Sequence, residues 1–489
     1  MRLITRRQFL ATTAAAGALT AIPTLFTGKG SAFAATDMQQ DTQVIRVGTR
    51  VIEVNGKSAR VFGLTQPDGT PGLILDAGKR FRVRVENQLD ESTLLHWHGL
   101  TPPWEQDGVP GLTQLPIPAG GHHEYDFLLD KPGTNWMHSH HGLQEQMLMA
   151  APLIVRDPLE AADDVQEVVV LFHDFTFRDP MEILSVLQSE GGHGASSADP
   201  HAGHGNMQHA AAQNQAAMPM AHLHDVEYDA FLANDRTLDD PEVYRVERGG
   251  RVRLRLINGA TATAFWIDLD RLQGQLIAVD GMPVEPLRAS KFEFAMGQRL
   301  DILVDLPAGE EGVWPIFALR EGERERTGIL LATPAATITK VSNLAPQKVP
   351  AIGLNLEQAL RATTPLSQRP VDRQHHVVIT EAAGYGWLLN GKAHGDHQPM
   401  WVRQGERVEI TITDQTSMAH PMHLHGHHFQ VVAINGKRIS GAMRDTVLVP
   451  SGGEVTIAFD AINPGEWVFH CHHLYHMAAG MMTSIKYEA

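Results

Sequence analysis

Gly78-Lys79-Arg80-Phe81-Arg82-Val83-Arg84-Val85-Glu86-Asn87 alternates charged and apolar side chains with a period of two. That is the pattern of a strand with one face in a core and the other in water. The pattern returns at Gly249-Gly250-Arg251-Val252-Arg253-Leu254-Arg255-Leu256-Ile257-Asn258 and at Gly405-Glu406-Arg407-Val408-Glu409-Ile410-Thr411-Ile412-Thr413-Asp414. Three echoes of one strand predict an internal repeat. Flanking segments such as Val44-Ile45-Arg46-Val47, Glu167-Val168-Val169-Val170-Leu171-Phe172, Leu300-Asp301-Ile302-Leu303-Val304-Asp305 and Val377-Val378-Ile379 also read as strands, punctuated by Gly, Pro and Asp. Short strands at this density predict an all-β chain of Greek-key sandwiches or barrels. The expected units are 43–157, 165–335 and 350–489, the last preceded by a Pro-containing linker from Ala345 to Ile352.

The chemistry concentrates near the C-terminus, in His470-Cys471-His472-His473-Leu474-Tyr475-His476-Met477-Ala478-Ala479-Gly480-Met481. Cys471 is the only cysteine of 489 residues, so it closes no internal disulfide and acts as a thiol or thiolate. A lone Cys is ordinarily a small buried hydrophobe. Here thiolate, imidazole and thioether stand together, the ligand types of a blue-copper electron-transfer site. If Glu466 to His472 is a strand, His470 and His472 face one way and Cys471 the other. One peptide then holds two metal centres back to back.

Further histidine pairs share the spacing of two: His96-Trp97-His98-Gly99, His138-Ser139-His140 and the denser His420-Pro421-Met422-His423-Leu424-His425-Gly426-His427. A single such pair is weak evidence. Four, drawn from both ends of a long chain and one wrapped around the only Cys, point to copper or zinc, and the trailing Met selects copper.

These four motifs resemble, in order, the signatures of the multicopper oxidase family, and the resemblance spans nearly all of the chain after its first segment. It implies three cupredoxin domains, with a trinuclear cluster between the first and third. It implies four copper ions: a type 1 ion held by His420, Cys471, His476 and a weak axial Met481; a type 2 ion held by His96 and His423; and a type 3 pair held by His98, His138, His140, His425, His470 and His472. Asp107 matches an acidic position that the family sets near the cluster and is a candidate proton relay; the alternative is an Asp-Gly turn residue. Many relatives carry another acid after the histidine that follows the Cys, whereas this chain has Met477, Ala478 and Ala479, so a second donor is absent or lies elsewhere. The middle unit carries none of the motifs and reads as a spacer and pocket wall. His141, His427, His428 and His473 adjoin the motifs at positions the family does not use, and His122, His123, His375 and His376 read as ordinary strand or loop residues.

The first 34 residues read as an export signal. Thr5-Arg6-Arg7-Gln8-Phe9-Leu10 precedes an Ala-rich apolar run, and Ser31-Ala32-Phe33-Ala34 supplies a small-residue cleavage site. Paired arginines favour the twin-arginine machinery over an ordinary secretory signal or an anchor. The apolar run is short for a membrane span. A soluble periplasmic protein follows. Removing the leader's four bases from the 40 leaves 36 against 56 acids, a formal charge of −20. That balance disfavours nucleic acid as a partner.

Residues 191–224 break the β pattern with His193, His201, His204, Met207, His209, Met218, Met220, His222 and His224 among Ala, Gly, Ser and Gln. The composition predicts a flexible insertion in the second unit. Its soft donors suit accessory copper capture; the alternative is a mobile insertion with adventitious metal affinity. The expected activity is an oxidase in which a reductant gives up single electrons at the type 1 site and O2 is reduced to water. Cu(I) is favoured as reductant, in copper tolerance. The alternatives are phenols, as in laccases, and a non-enzymatic copper-sequestering role.

Overall fold

The computed structural model describes residues 42–162, 164–189 and 223–488. The predicted export signal and all of the His/Met-rich segment before Leu223 lie outside these residues. Among the described residues no helix is long and apolar enough to cross a membrane.

The three echoed strands occupy equivalent places. Arg80–Asn87 lies parallel to Gln43–Val54 on one side and antiparallel to His122–Leu128 on the other. Arg251–Asn258 lies in the same way between Gln166–Phe175 and Arg299–Asp305. Arg407–Asp414 lies between Arg373–Ala382 and Glu454–Asp460. Each is opposed by a second sheet from the same third of the chain, so six sheets pair into three sandwiches. The alternation works as read: Phe81, Val83 and Val85 are wholly buried while the intervening arginines reach outward. Phe81 packs edge-on against Trp97 and stacks on Phe127, at 4.8 and 4.7 Å between ring centres. Burying each such side chain contributes roughly 1.5–3 kcal/mol.

The motifs sit in the second sheet of the outer sandwiches. His96 and His98 lie on Leu95–His98, which pairs antiparallel with Gly133–Ser139 carrying His138. His420, His423 and the turn to His425 follow from His420–Leu424, paired antiparallel with Glu466–Cys471. Every residue of these four strands is buried except Glu466, at the strand's outer end. Imidazoles on such strands lie out of reach of bulk water.

The middle sandwich is fastened to the C-terminal one at a buried carboxylate. Asp174 accepts hydrogen bonds from the backbone N–H groups of Thr261 and Ala262 and from the hydroxyls of Thr261 and Thr263. The loop so fixed offers the Thr261 carbonyl to the Leu474 N–H at 2.8 Å. The helix Pro180–Ser189 sends Ile183, Leu184 and Leu187 into the core that contains Cys471 and Met481. The helix before the His/Met-rich segment thus packs on the C-terminal sandwich, and the chain after it reaches His476 through Asp225.

Candidate metal centres

Two sets of donors face away from each other across the strand Glu466–Cys471. On one side the Cys471 Sγ lies 3.8 Å from His420 Nδ1 and 3.9 Å from His476 Nδ1, and the two nitrogens are 3.2 Å apart. Met481 is fully buried in the same core. The outer nitrogens are engaged elsewhere, His420 Nε2 with the Thr416 hydroxyl and His476 Nε2 with Asp225 Oδ2, both at 2.8 Å. That engagement turns each Nδ1 toward the sulfur. Burial pushes the Cys471 thiol up and holds His420 and His476 well below the usual imidazole range. The site therefore favours neutral donors, and a cation is needed to stabilise the thiolate.

On the other side eight histidines converge. His140, His425 and His470 can place one donor atom each within 4.8 Å of one another, as can His96, His423 and His425, and His96, His98 and His138. The His472 ring completes the group, 5.0 Å from His98 and 5.2 Å from His138. Outer nitrogens again find fixed partners. His96 Nδ1 donates to the Asp107 carbonyl at 2.9 Å, His425 Nδ1 to Asp107 Oδ2 at 2.7 Å, and His470 Nδ1 to the Cys471 carbonyl at 2.9 Å. His423 Nδ1 donates to the Asp445 carbonyl at 2.9 Å, and His98 Nε2 faces Asp445 Oδ1 at 3.1 Å.

The opposite nitrogens are left over. His96 Nε2, His98 Nδ1, His138 Nε2, His140 Nε2, His423 Nε2 and both nitrogens of His472 are buried with no hydrogen-bond partner. An unsatisfied buried polar atom costs roughly 1–3 kcal/mol, so this many in one place call for a ligand. Burial, reinforced by neighbouring imidazoles, holds His138, His140, His425, His470 and His472 well below their usual range; for His98 burial and His423 do the same against the pull of Asp445. Neutral imidazoles with inward lone pairs and outward N–H groups held by acceptors are what a metal cluster requires.

Several side chains at these centres carry no spacing signal in the sequence. Glu145, from the turn after His140, meets His138 Nδ1 with Oε2 at 2.9 Å, and burial pushes its carboxyl up to about 8. Asp445 reaches both His98 and His423. Burial opposes its charge, but Arg299 outweighs burial and holds it well below the usual carboxylate range. The middle sandwich is more than a spacer, because Arg299, Gly297 and Asp225 all belong to it and touch these centres or their partners. Asp107 is 1% exposed and contacts His425 and His96, beyond what a simple turn residue would do. His473 stacks on His476 with 3.6 Å between ring centres. Of the His/Met-rich donors only His224 is described, and its Nε2 donates to the Glu321 carbonyl at 3.0 Å.

Three cupredoxin-like sandwiches, a buried thiolate–imidazole site and a histidine cluster at the seam between the outer two define a blue-copper oxidase class. Multicopper oxidase family profiles match residues 46–160, 167–342 and 366–489. The chain is 31% identical to the multicopper oxidase MmcO of Mycobacterium tuberculosis, over 99% of this chain and 97% of that protein. It is 25% identical to copper resistance protein A of Escherichia coli, over 92% and 93% of the two chains. The laccase of Botrytis aclada superposes with a TM-score of 0.73 at 23% identity, over 91% of this chain and 88% of that one. The chain belongs to the multicopper oxidase family, an oxidoreductase with oxygen as acceptor and four copper ions of types 1, 2 and 3. The unpartnered inward nitrogens and the thiol between two imidazoles fit those ions.

Proposed function

We propose that His420, Cys471, His476 and Met481 hold the type 1 copper, His96 and His423 the type 2 copper, and His98, His138, His140, His425, His470 and His472 the type 3 pair. We further propose that the reductant is Cu(I) and that the protein serves copper tolerance in the periplasm after twin-arginine export. When bound, copper supplies one-electron redox chemistry at the thiolate and four-electron chemistry toward O2 at the cluster.

The observation that carries the substrate reading is the 2.8 Å contact between His476 Nε2 and Asp225 Oδ2. Asp225 follows the His/Met-rich segment directly in sequence, and Tyr385 donates its hydroxyl to the same oxygen at 2.5 Å. This carboxylate, 3% exposed in its side chain, ties the end of a segment rich in soft ligands to the type 1 imidazole, and soft ligands suit Cu(I). A phenol ring would have to approach where His473 stacks on His476 and Trp387 lies 4.0 Å from it, ring centre to ring centre. Backbone continuity from His470 through Cys471 to His472 links the entry site to the cluster covalently.

Asp107 is the proton-handling group of this reading. Its Oδ2 takes the His425 proton as a hydrogen bond, while Oδ1 has no hydrogen-bond partner and can hold or pass a proton. The domain limits of this reading are 43–157, 165–335 and 350–489, and the pairing of the sheets into three sandwiches supports them. Likeness to copper resistance protein A supports Cu(I), likeness to laccases keeps phenols as the second reading, and the His/Met-rich segment supports accessory copper binding at 191–224.

The test compares oxygen uptake with Cu(I) and with a phenol, in the full protein and after deletion of 191–224. Faster turnover with Cu(I) that falls on deletion, with phenol turnover unchanged, is expected. Indifference to the deletion for both reductants would refute the copper-delivery role. Stoichiometric copper binding without any oxygen uptake would leave only sequestration.

A further inference from the structure

Arg299 of the middle sandwich is wholly buried, and its guanidinium is shared among all three sandwiches. Its Nη1 and Nη2 fork onto Asp445 Oδ1 and Oδ2 at 2.8 and 2.5 Å, in the C-terminal sandwich. Its Nε donates to the Thr134 carbonyl of the first sandwich at 3.1 Å, and Nη1 donates also to Gly297 at 2.9 Å. Its backbone N–H is anchored on Asp280 Oδ1 at 2.9 Å. The carboxylate it grips faces the cluster. Asp445 Oδ1 lies 3.1 Å from His98 Nε2 and 3.5 Å from His423 Nδ1, and the Asp445 carbonyl accepts the His423 Nδ1 proton.

A fully buried ion pair is a poor way to gain stability, because desolvation consumes much of the attraction. What a planar, bidentate fork does supply is orientation. Acceptors on the outer nitrogen of a ligating histidine set its tautomer and ring angle, and losing them typically weakens metal binding 10–100-fold. We propose that Arg299 is a positioning residue for the type 2 copper: through Asp445 it aims His423 and His98, so that the middle sandwich completes a site to which it contributes no ligand. This rests on the assignment of His96 and His423 to the type 2 ion.

Arg255 provides the control. It is 1% exposed, pairs with Asp301 and Glu167, and donates to the Thr134 hydroxyl at 3.0 Å. Like Arg299 it joins the middle sandwich to the first, but it does not reach the C-terminal one, and its ion-pair partners are not those that orient His98 and His423. Metal-free wild type, Arg299→Lys and Arg255→Lys are titrated with copper. Copper per chain, the type 2 electron paramagnetic resonance signal, the blue absorption, and KM for O2 against kcat are then read. Arg299→Lys is expected to lower type 2 affinity 10–100-fold and change the type 2 hyperfine splitting while the blue absorption stays. Arg255→Lys is expected to load like wild type. An unchanged type 2 signal and affinity in Arg299→Lys, or equal losses in both variants, would overturn the proposal. Should Arg299→Lys not fold, Asp445→Asn takes its place with the same expected loss, and an unchanged type 2 signal in it overturns the proposal too. A wild type that binds copper without any type 2 signal would instead overturn the ligand assignment beneath it.

Discussion

Gly297 offers a direct way to disturb the cluster from the sandwich that holds none of its ligands. Its φ is +77°, and a Cβ added there would sit 2.8 Å from His472 Cδ2, 2.9 Å from His472 Cγ and 3.2 Å from His98 Cε1. Ordinary contacts begin near 3.4 Å, so the overlap reaches 0.6 Å against one ring. Neither side can give way easily. The Gly297 N–H is bonded to the Asn258 carbonyl and its own carbonyl is held by Arg299, while the His472 N–H is fixed on the Pro421 carbonyl. The left-handed backbone alone costs an alanine roughly 1–2 kcal/mol, and overpacking adds about 1–3 kcal/mol. Gly78→Ala isolates the first term, since Gly78 has φ +80° and a methyl group there would meet nothing within 4 Å. In chemical denaturation of the metal-free proteins, Gly297→Ala should lose about 1–3 kcal/mol more than Gly78→Ala. On copper loading it should keep the blue absorption but hold fewer than four ions. Equal destabilisation of the two variants, with full copper content in both, would refute the claim that this glycine spaces His472 and His98.

Three further outcomes are expected. Cys471→Ser should abolish the blue absorption and oxidase turnover yet leave the cluster able to bind copper; retained turnover would contradict electron entry at this thiolate. Asp107→Asn should keep its copper and lose turnover by about 10²–10⁴-fold, so wild-type rates in a fully loaded variant would remove Asp107 from proton transfer. Burial pushes the Glu321 carboxyl up to about 7 even though Oε2 accepts the Ile352 N–H. The folded state keeps a proton that the unfolded chain loses between its usual 4.5 and about 7, so stability falls as pH rises through that window, by about 3 kcal/mol in all. Glu321→Gln should flatten this part of the metal-free stability profile, and an unchanged slope would assign it to another group.

What was legible in the sequence was what repeats. Period-two alternation at 80–87, 251–258 and 407–414 identified the strands because each has one face in a core, and that pattern needs no knowledge of partners. The histidine pairs were legible because strand geometry turns a spacing of two into a shared face. Asp225, Asp445 and Arg299 were not, because each is a single charged residue whose meaning comes from a neighbour far along the chain, and Glu145, though close in sequence to His138, falls outside the spacing of two. The contact of Asp225 with His476 crosses 251 residues, and that of Arg299 with Asp445 crosses 146. The missing acid after His476 illustrates the limit. The absence was visible in Met477-Ala478-Ala479, whereas Glu145, one of the carboxyls that do reach a cluster histidine, comes from the first sandwich.

The two centres differ in how much of the fold must exist before they can form. The proposed type 1 ligands His420, Cys471, His476 and Met481 all come from the C-terminal sandwich, and the middle sandwich adds the Asp225 contact to His476 and the helix packed on the same core. The cluster needs strands from both ends of the chain docked face to face, with Arg299 and Gly297 of the middle sandwich pressed against the seam. Interfaces between sandwiches open at lower free energy than their cores. Mild denaturant should therefore release cluster copper before the blue absorption fades, and an apo chain refolded with limiting copper should turn blue before it consumes oxygen. The strand Glu466–Cys471 ties these unequal stabilities together. Its Cys471 side draws its donors from one sandwich with a contact from the neighbour, and its His470 side needs the two outer sandwiches docked, so the route from the thiolate to the cluster exists only once both are packed.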